Sequence, residues 1–255
     1  MSERFAGKVV IVTGGGSGVG RACGLRFARE GAKVALADAN AEAAVAVAEE
    51  ITALGGIALA APVNVADSSA VNACVDDVVA NLGPVSILVN CAGISHTNLV
   101  HLTTDEAWHR MLDVNLSGSF YFARAAQKSM VELGAGKIVN VSSQAAIGTE
   151  RGFVAYSSSK AGVMGLTRAL ALDLGPLGIN VNAVAPGHIE SPLTHNLADE
   201  YGVAYESIRE EQIKRNAIKR VAQPEDIAGV ITFLASDDAI HMTGQVLYVT
   251  GRPNS

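Results

Sequence analysis

A phenol and an ammonium lie four positions apart in Tyr156-Ser157-Ser158-Ser159-Lys160. On a helix they share one face, a turn apart. A cation near a phenol favours the phenolate and lowers its pKa from the ordinary value of about 10, so Tyr156 is expected to act as an acid/base near neutral pH. Alone the pair is a weak signal, because Tyr and Lys at this spacing also occur on solvated helix faces. Its companions strengthen it. Ser142-Ser143 follow the apolar run Ile138–Val141, so their hydroxyls emerge at a strand end, the edge where open α/β sheets bind ligands. A hydroxyl there can donate to a substrate oxygen as charge develops on it. Asn90-Cys91-Ala92-Gly93 follow another apolar run in the same manner. Asn115 falls inside the helical stretch Trp108–Ala126, where Asn is a poor helix former. Two readings stay open for it: a local side-chain bond to the backbone, or a group that holds a water.

A second constellation precedes these. The run Val9–Val12 leads into Thr13-Gly14-Gly15-Gly16-Ser17-Gly18-Val19-Gly20, with Gly14, Gly18 and Gly20 spaced G-x-x-x-G-x-G. Glycines let the backbone turn tightly and approach a pyrophosphate, and the following helix presents free N–H groups and the positive end of its dipole. The next β-branched run, Val34–Ala37, ends at Asp38. A carboxylate there accepts hydrogen bonds from ribose 2′- and 3′-hydroxyls and repels a 2′-phosphate. No Lys or Arg lies between Gly14 and Gly20, and Ala39 follows Asp38. The charge logic therefore favours NAD over NADP as the cofactor.

These groups need a scaffold that brings strand ends to one edge, and the sequence supplies its rhythm. Strand candidates are Val9–Val12, Val34–Ala37, Ile57–Ala61, Ile87–Val89, Ile138–Val141, Val181–Val184 and Val246–Val249. Helix-length segments such as Gly18–Arg29, Ala41–Leu54, Ser68–Leu82 and Tyr156–Leu174 alternate with them. Asp67-Ser68-Ser69 and Thr103-Thr104-Asp105-Glu106 read as capped helix starts. The expectation is α/β: one Rossmann-like domain over residues 1–255, a doubly wound parallel sheet of about seven strands with helices on both faces. The stretch 187–216 breaks the rhythm beyond a strand end and is expected to form a substrate lid.

Bulk properties set limits. The chain has 255 residues, 49% hydrophobic, 17% charged and 5% aromatic, the profile of an Ala/Val/Gly-rich α/β protein. A formal charge of −6 is a poor match for nucleic acid or anionic membranes. No apolar run is long enough to span a bilayer, and Met1 to Lys8 carries no apolar leader, so the expected location is the cytoplasm. Cys23, Cys74 and Cys91 match no disulfide or metal spacing. No metal site is expected.

Taken together, Thr13–Gly20, Asn90–Gly93, Asn115, Ser143, Tyr156, Lys160 and Pro186-Gly187 resemble the short-chain dehydrogenase/reductase family, in its order and spacing and over essentially the whole chain. The resemblance implies Tyr156 as the catalytic acid/base. It implies Lys160 as the group that lowers its pKa and binds the nicotinamide ribose, and Ser143, thirteen residues before Tyr156, as the group orienting the substrate oxygen. It implies that Asn115 holds a water in a proton relay through Lys160. Gly14, Ser17, Gly18, Val19 and Gly20 would surround the pyrophosphate and adenosine ribose, and Asn64 and Val65 would flank the adenine. Asn90, with Ala92 and Gly93 after it, would support the central sheet and the cofactor. Pro186, Gly187, Ile189 and Ser191 would cradle the nicotinamide. A homotetramer or homodimer is implied as well. Asn64 stands where Asp is frequent in the family, Cys91 where a second Asn is frequent, Ser191 for Thr, and Thr250 where Asp is often seen.

Position nominates the substrate-pocket walls: Ser95 and His96 after the fourth strand run, Gln144 and Ala145 after Ser143, Glu150, Arg151 and Phe153 before Tyr156, and His188 after Gly187. His96, Gln144 and His188 would favour a polar, hydroxylated substrate, and Arg151 could pair with a carboxylate or sulfonate. The alternative for Arg151 and the histidines is a plain surface position. The leading reading is an NAD-linked alcohol or polyol dehydrogenase acting on a small molecule. A second is a carbonyl reductase resembling the 3-oxoacyl-carrier-protein reductases, which commonly use NADPH. A third is a non-catalytic NAD-binding sensor, for which the Asn115, Ser143, Tyr156 and Lys160 set would be unnecessary.

Overall fold

The apolar runs form seven strands: β1 (Val9–Thr13), β2 (Lys33–Asp38), β3 (Ile57–Pro62), β4 (Val85–Asn90), β5 (Gly136–Val141), β6 (Ile179–Pro186) and β7 (Val246–Val249). All pair in parallel, in the order β3-β2-β1-β4-β5-β6-β7. This computed structural model describes residues 3–253; Met1 and Ser2, which belong to the N-terminal stretch read above for a leader, and Asn254 and Ser255 lie outside the described residues. Nine helices connect or follow the strands among those residues: α1 (Gly18–Arg29), α2 (Ala41–Ala53), α3 (Ser68–Leu82), α4 (Asp105–Leu112), α5 (Gly118–Leu133), α6 (Val154–Leu174), α7 (Pro192–Tyr201), α8 (Tyr205–Arg215) and α9 (Pro224–Leu234).

Alternation along each strand splits the core in two. Val10, Val12, Val34, Leu36, Val89 and Val139 join α1, α2 and α9 in one cluster. Val9, Ile11, Ala35, Leu88, Ile138 and Val181 join α3, α5 and α6 in the other. Both sheet faces are covered, which explains strands that are apolar at every position, such as the fully buried VVIVT of β1. Each buried aliphatic side chain of this kind contributes about 1.5–3 kcal/mol over exposure.

The helix starts follow the capping chemistry. Asp67 accepts from the Ser69 and Ala70 N–H groups at the head of α3, and Thr104 accepts from Ala107 N at the head of α4. The Ser69 hydroxyl and these two N–H groups hold the Asp67 carboxyl below its ordinary range. The stretch Trp108–Ala126 is not one regular helix. A wider π turn, Asp113–Ser117, separates α4 from α5 and places Asn115 at its centre, fully buried. Such insertions re-aim a side chain within an otherwise helical segment.

The strand order reverses between β1 and β4. Crossovers leave in opposite directions there and open a crevice at the carboxyl edge of the sheet. The stretch 187–216 rises over that crevice as α7 and α8. Of these two helices only Ala198 is buried, and α8 buries nothing. No helix among the described residues is long and apolar enough to cross a membrane.

Candidate active site

The crevice is a cleft of ≈ 1570 Å³. One half is the glycine loop. Gly14 adopts φ +65°, and a Cβ there would sit 3.0 Å from the Ala92 backbone. A Cβ on Gly20 would fall 1.9 Å from the Gly14 carbonyl oxygen, so the turn closes only without side chains. Thr13 Oγ1 accepts from Ala92 N at 3.0 Å and binds this loop to the one after β4. Asp38 shapes the outer edge: its Oδ2 accepts from Gly16 N and its Oδ1 from Asn40 N, both at 2.9 Å.

The head of α1 carries no acidic residue, and the N-cap Ser17 makes no side-chain bond to it. Its first N–H groups are thus left for a ligand. A pyrophosphate-bearing group fits this cradle. Gly14, Ser17, Gly18, Val19, Gly20, Asp38, Asn64, Val65, Ala92, Gly93, Pro186, Gly187, Ile189 and Ser191 all line the cleft, as do Ser143, Tyr156, Lys160, Ser95, Gln144 and His188.

The other half is built on β5, α6 and the loop between them. Lys160 is buried beside the cleft, with Nζ donating to the Val141 carbonyl at 2.9 Å and lying 6.0 Å from the centre of the Tyr156 ring. Ser143 Oγ accepts from Ala145 N at 3.1 Å, and its hydroxyl also favours the Tyr156 phenolate. Ser142 plays a different part. Its hydroxyl donates to the Lys160 carbonyl at 2.8 Å and ties β5 to α6. Gly93 lets the chain pass close, since a Cβ would meet Lys160 Nζ at 3.2 Å and Asn115 Oδ1 at 3.3 Å.

Asn115 joins two segments. Oδ1 accepts from Ile94 N at 2.8 Å, while Nδ2 donates to Ile94 O at 3.0 Å and to Ser159 Oγ at 2.9 Å, with Met111 Sδ also at 3.2 Å. Its side-chain donors are committed, so the side chain clamps Ile94 to Ser159. Asn115 does not line the cleft.

Burial sets the titration of the pair. It lowers the Lys160 ammonium to about 8. It also pushes the Tyr156 phenol above its ordinary value, with the Ser143 hydroxyl pulling back. The direction is opposite to the one expected from Lys160 alone: burial is the larger effect on the phenol and the Ser143 hydroxyl the smaller. An unfolded Lys160 keeps its proton to about pH 10.5, so between 8 and 10.5 the unfolded state holds more protons. The folding penalty, about 3 kcal/mol, is fully present below pH 8 and fades as pH rises to 10.5. Urea unfolding across this range should therefore show wild type gaining stability on a Lys160→Met variant only above pH 8. A gap independent of pH would contradict this account.

Asn90 supports the central sheet as expected, from beneath the cleft and not in its wall: it is buried, and its Nδ2 donates to Ser119 O (3.2 Å) and Asn140 Oδ1 (2.9 Å). Asn140 continues to Thr167 Oγ1 at 2.9 Å, so a polar chain links β4, β5 and α6. Arg151 is exposed and off the lining, because the turn through Gly152 at φ +91° leaves Glu150 and Phe153 on the cleft. His96 is also off the lining; its Nδ1 lies 3.1 Å from Glu200 Oε1 and ties the loop after β4 to α7.

His188 does line the cleft, and its buried Nε2 has no partner among the described residues. Burial, aided by nearby His195, lowers its pKa. Sequence reasoning missed Arg252, Tyr201, Gln212 and Arg215, all in the lining. Arg215 reaches Glu150 at 3.3 Å and Glu211 at 3.0 Å, pairing α8 with the loop before α6. Arg252 Nη2 donates to Gln144 Oε1 at 3.2 Å.

A family profile described as enoyl-(acyl carrier protein) reductase matches residues 14–251. A 3-oxoacyl-(acyl-carrier-protein) reductase of Staphylococcus aureus is 40% identical, covering 96% of this chain and 97% of that protein. A cyclohexanol dehydrogenase of an Acinetobacter strain is 37% identical over 98% of this chain and 96% of its own length. Among solved structures, a 3-oxoacyl-(acyl-carrier protein) reductase of Brucella melitensis with bound NAD superposes with a TM-score of 0.90 at 32% identity, covering 100% of this chain and 94% of that one. The chain belongs to the short-chain dehydrogenase/reductase family of oxidoreductases.

Proposed function

We propose that this protein is an NAD-dependent dehydrogenase acting on a secondary alcohol or the matching ketone of a polar, small-molecule substrate. The observation that carries the reading is the meeting of Ser143, Tyr156 and Lys160 in the same cleft as the glycine loop. Bound nicotinamide would supply the hydride acceptor or donor. Tyr156 exchanges the proton at the substrate oxygen, and Ser143 donates a hydrogen bond to that oxygen as charge develops. Lys160, held by the Val141 carbonyl, places a positive charge beside the phenol. Asn115 acts by position, fixing Ile94 and Ser159 on either side of Lys160.

The choice of NAD rests on Asp38. Its carboxylate is fixed at the cleft edge by Gly16 N and Asn40 N, where a 2′-phosphate would meet negative charge at short range. The NAD-bound Brucella neighbour is consistent with this. A second reading, an NADPH-linked carbonyl reductase, draws on the identity to the staphylococcal reductase. Separate fluorescence titrations with NADH and NADPH decide between them. We expect NADH to bind about 100-fold more tightly, a difference of about 2.7 kcal/mol. Preference for NADPH would overturn the reading of Asp38, and binding of neither would overturn the function.

A further inference from the structure

The substrate end of the cleft holds a cation that neither the phosphate loop nor the Tyr156–Lys160 pair uses. Arg252 follows β7 and lines the cleft beside Gln144. Its guanidinium makes one hydrogen bond among the described residues, to a neutral acceptor, Gln144 Oε1 at 3.2 Å. Arg215, which also lines the cleft, already has two carboxylates, Glu150 and Glu211. Arginine has five N–H donors in a planar fork, so most of the Arg252 fork is uncommitted.

The seat is built. The Thr250 hydroxyl donates to the Arg252 carbonyl at 2.6 Å. The Gly251 carbonyl accepts from Ala217 N and Ile218 N, both at 2.9 Å, fastening the tail to the chain beyond α8. Gly187 makes the room: a Cβ there would lie 3.2 Å from Thr250 Cα and 3.5 Å from Gln144 Oε1. Gln144 is the residue after Ser143, so the guanidinium stands one side chain away from the hydroxyl that would face the reacting oxygen. A half-buried guanidinium with open bidentate geometry is suited to a carboxylate.

We propose that Arg252, oriented by Gln144, is the specificity residue for a substrate that carries a carboxylate a few bonds from its carbinol or ketone carbon. The substrate class is thus a hydroxy or oxo acid. This rests on the functional reading above only for the reacting group; the anion subsite stands on its own geometry.

The test is calorimetric titration of the full-length protein with acetoacetate and with 2-butanone, its uncharged counterpart, with and without saturating NADH. We expect acetoacetate to bind at least 10-fold more tightly than 2-butanone. Arg252→Gln should erase that preference and Arg252→Lys should keep part of it, since a point charge remains without the fork. Thermal melts of both variants establish that they are folded. If one variant does not fold, the other decides. Equal binding of the two probes by wild type, no binding of either, or a full preference in folded Arg252→Gln would overturn the proposal. Failure of NADH itself to bind would instead count against the dehydrogenase reading, while the cofactor-free titration still decides the anion subsite.

Discussion

Replacing Tyr156 by Phe should lower kcat/KM by about 10³–10⁴-fold, within the range a positioned acid/base supplies, while NADH affinity stays within about twofold. That loss corresponds to about 4–5.5 kcal/mol of barrier. The two readouts should separate because, on the proposed function, the phenol exchanges a proton while the glycine loop and Asp38, which line the same cleft, hold the cofactor. The aromatic ring, 5.6 Å from Phe153, is retained in the variant, so packing changes little. The pH dependence follows from the same group. Burial raises the phenol, so the deprotonated form needed to oxidise an alcohol is scarce at neutral pH and grows with alkalinity. Wild-type oxidation should climb through the alkaline range, and the residual activity of the Phe variant should lack that rise. A variant with wild-type kcat/KM would remove Tyr156 from the chemistry.

Gly20→Ala should be the most damaging single methyl in the cofactor half. The added Cβ would lie 1.9 Å from the Gly14 carbonyl oxygen, a backbone atom that no rotamer change can move. The turn itself must open, at a cost of about 1–3 kcal/mol as for other overpacked sites. Opening it also displaces the N–H groups at the head of α1. NADH affinity should fall by about 100-fold or more, read by the fluorescence titration, and urea unfolding should show the stability loss. Gly165→Ala serves as the matched control. That glycine is exposed in the interior of α6, with nothing within 4 Å of a Cβ, and Ala there should stabilise by about 0.4–1 kcal/mol. Unchanged NADH binding in Gly20→Ala would show that the pyrophosphate does not lie against this loop.

The difference between what could and could not be read in the chain is one of range. The seven strands were legible because both sheet faces are covered, so strand interiors are mostly apolar, with Asn140 and Asn182 as buried exceptions. The glycine loop was legible because a tight turn leaves its demand for Gly in consecutive residues. Boundaries drifted where a strand runs past its β-branched centre: β6 spans Ile179–Pro186, well beyond Val181–Val184. The long-range partners left no local signal. Arg252 meets Gln144 across 108 residues, and His96 meets Glu200 across 104. Which loops converge over a sheet edge depends on crossover geometry, and no spacing rule encodes that. Arg151 was chosen for its place before Tyr156, yet the turn at Gly152 turns it out to solvent, and it is Arg252, from the far end of the chain, that lines the cleft. Asn115 lay between these cases: its oddness in a helix was visible, but the π turn that buries it and sets its bonds to Ile94 and Ser159 was not.

The near absence of buried residues in α7 and α8 separates two properties that are coupled in most enzymes. The reacting groups stand on β5 and α6, which share the core, so changing them draws on the free energy of the whole fold. The α7–α8 segment over the cleft rests on those elements through surface ties such as Arg215 with Glu150 and His96 with Glu200. An opening of that segment would be governed by local and not global stability. Residues in that segment can therefore be exchanged almost freely, and a lineage can try new substrates on an unchanged set of reacting groups without approaching the threshold at which the protein ceases to fold.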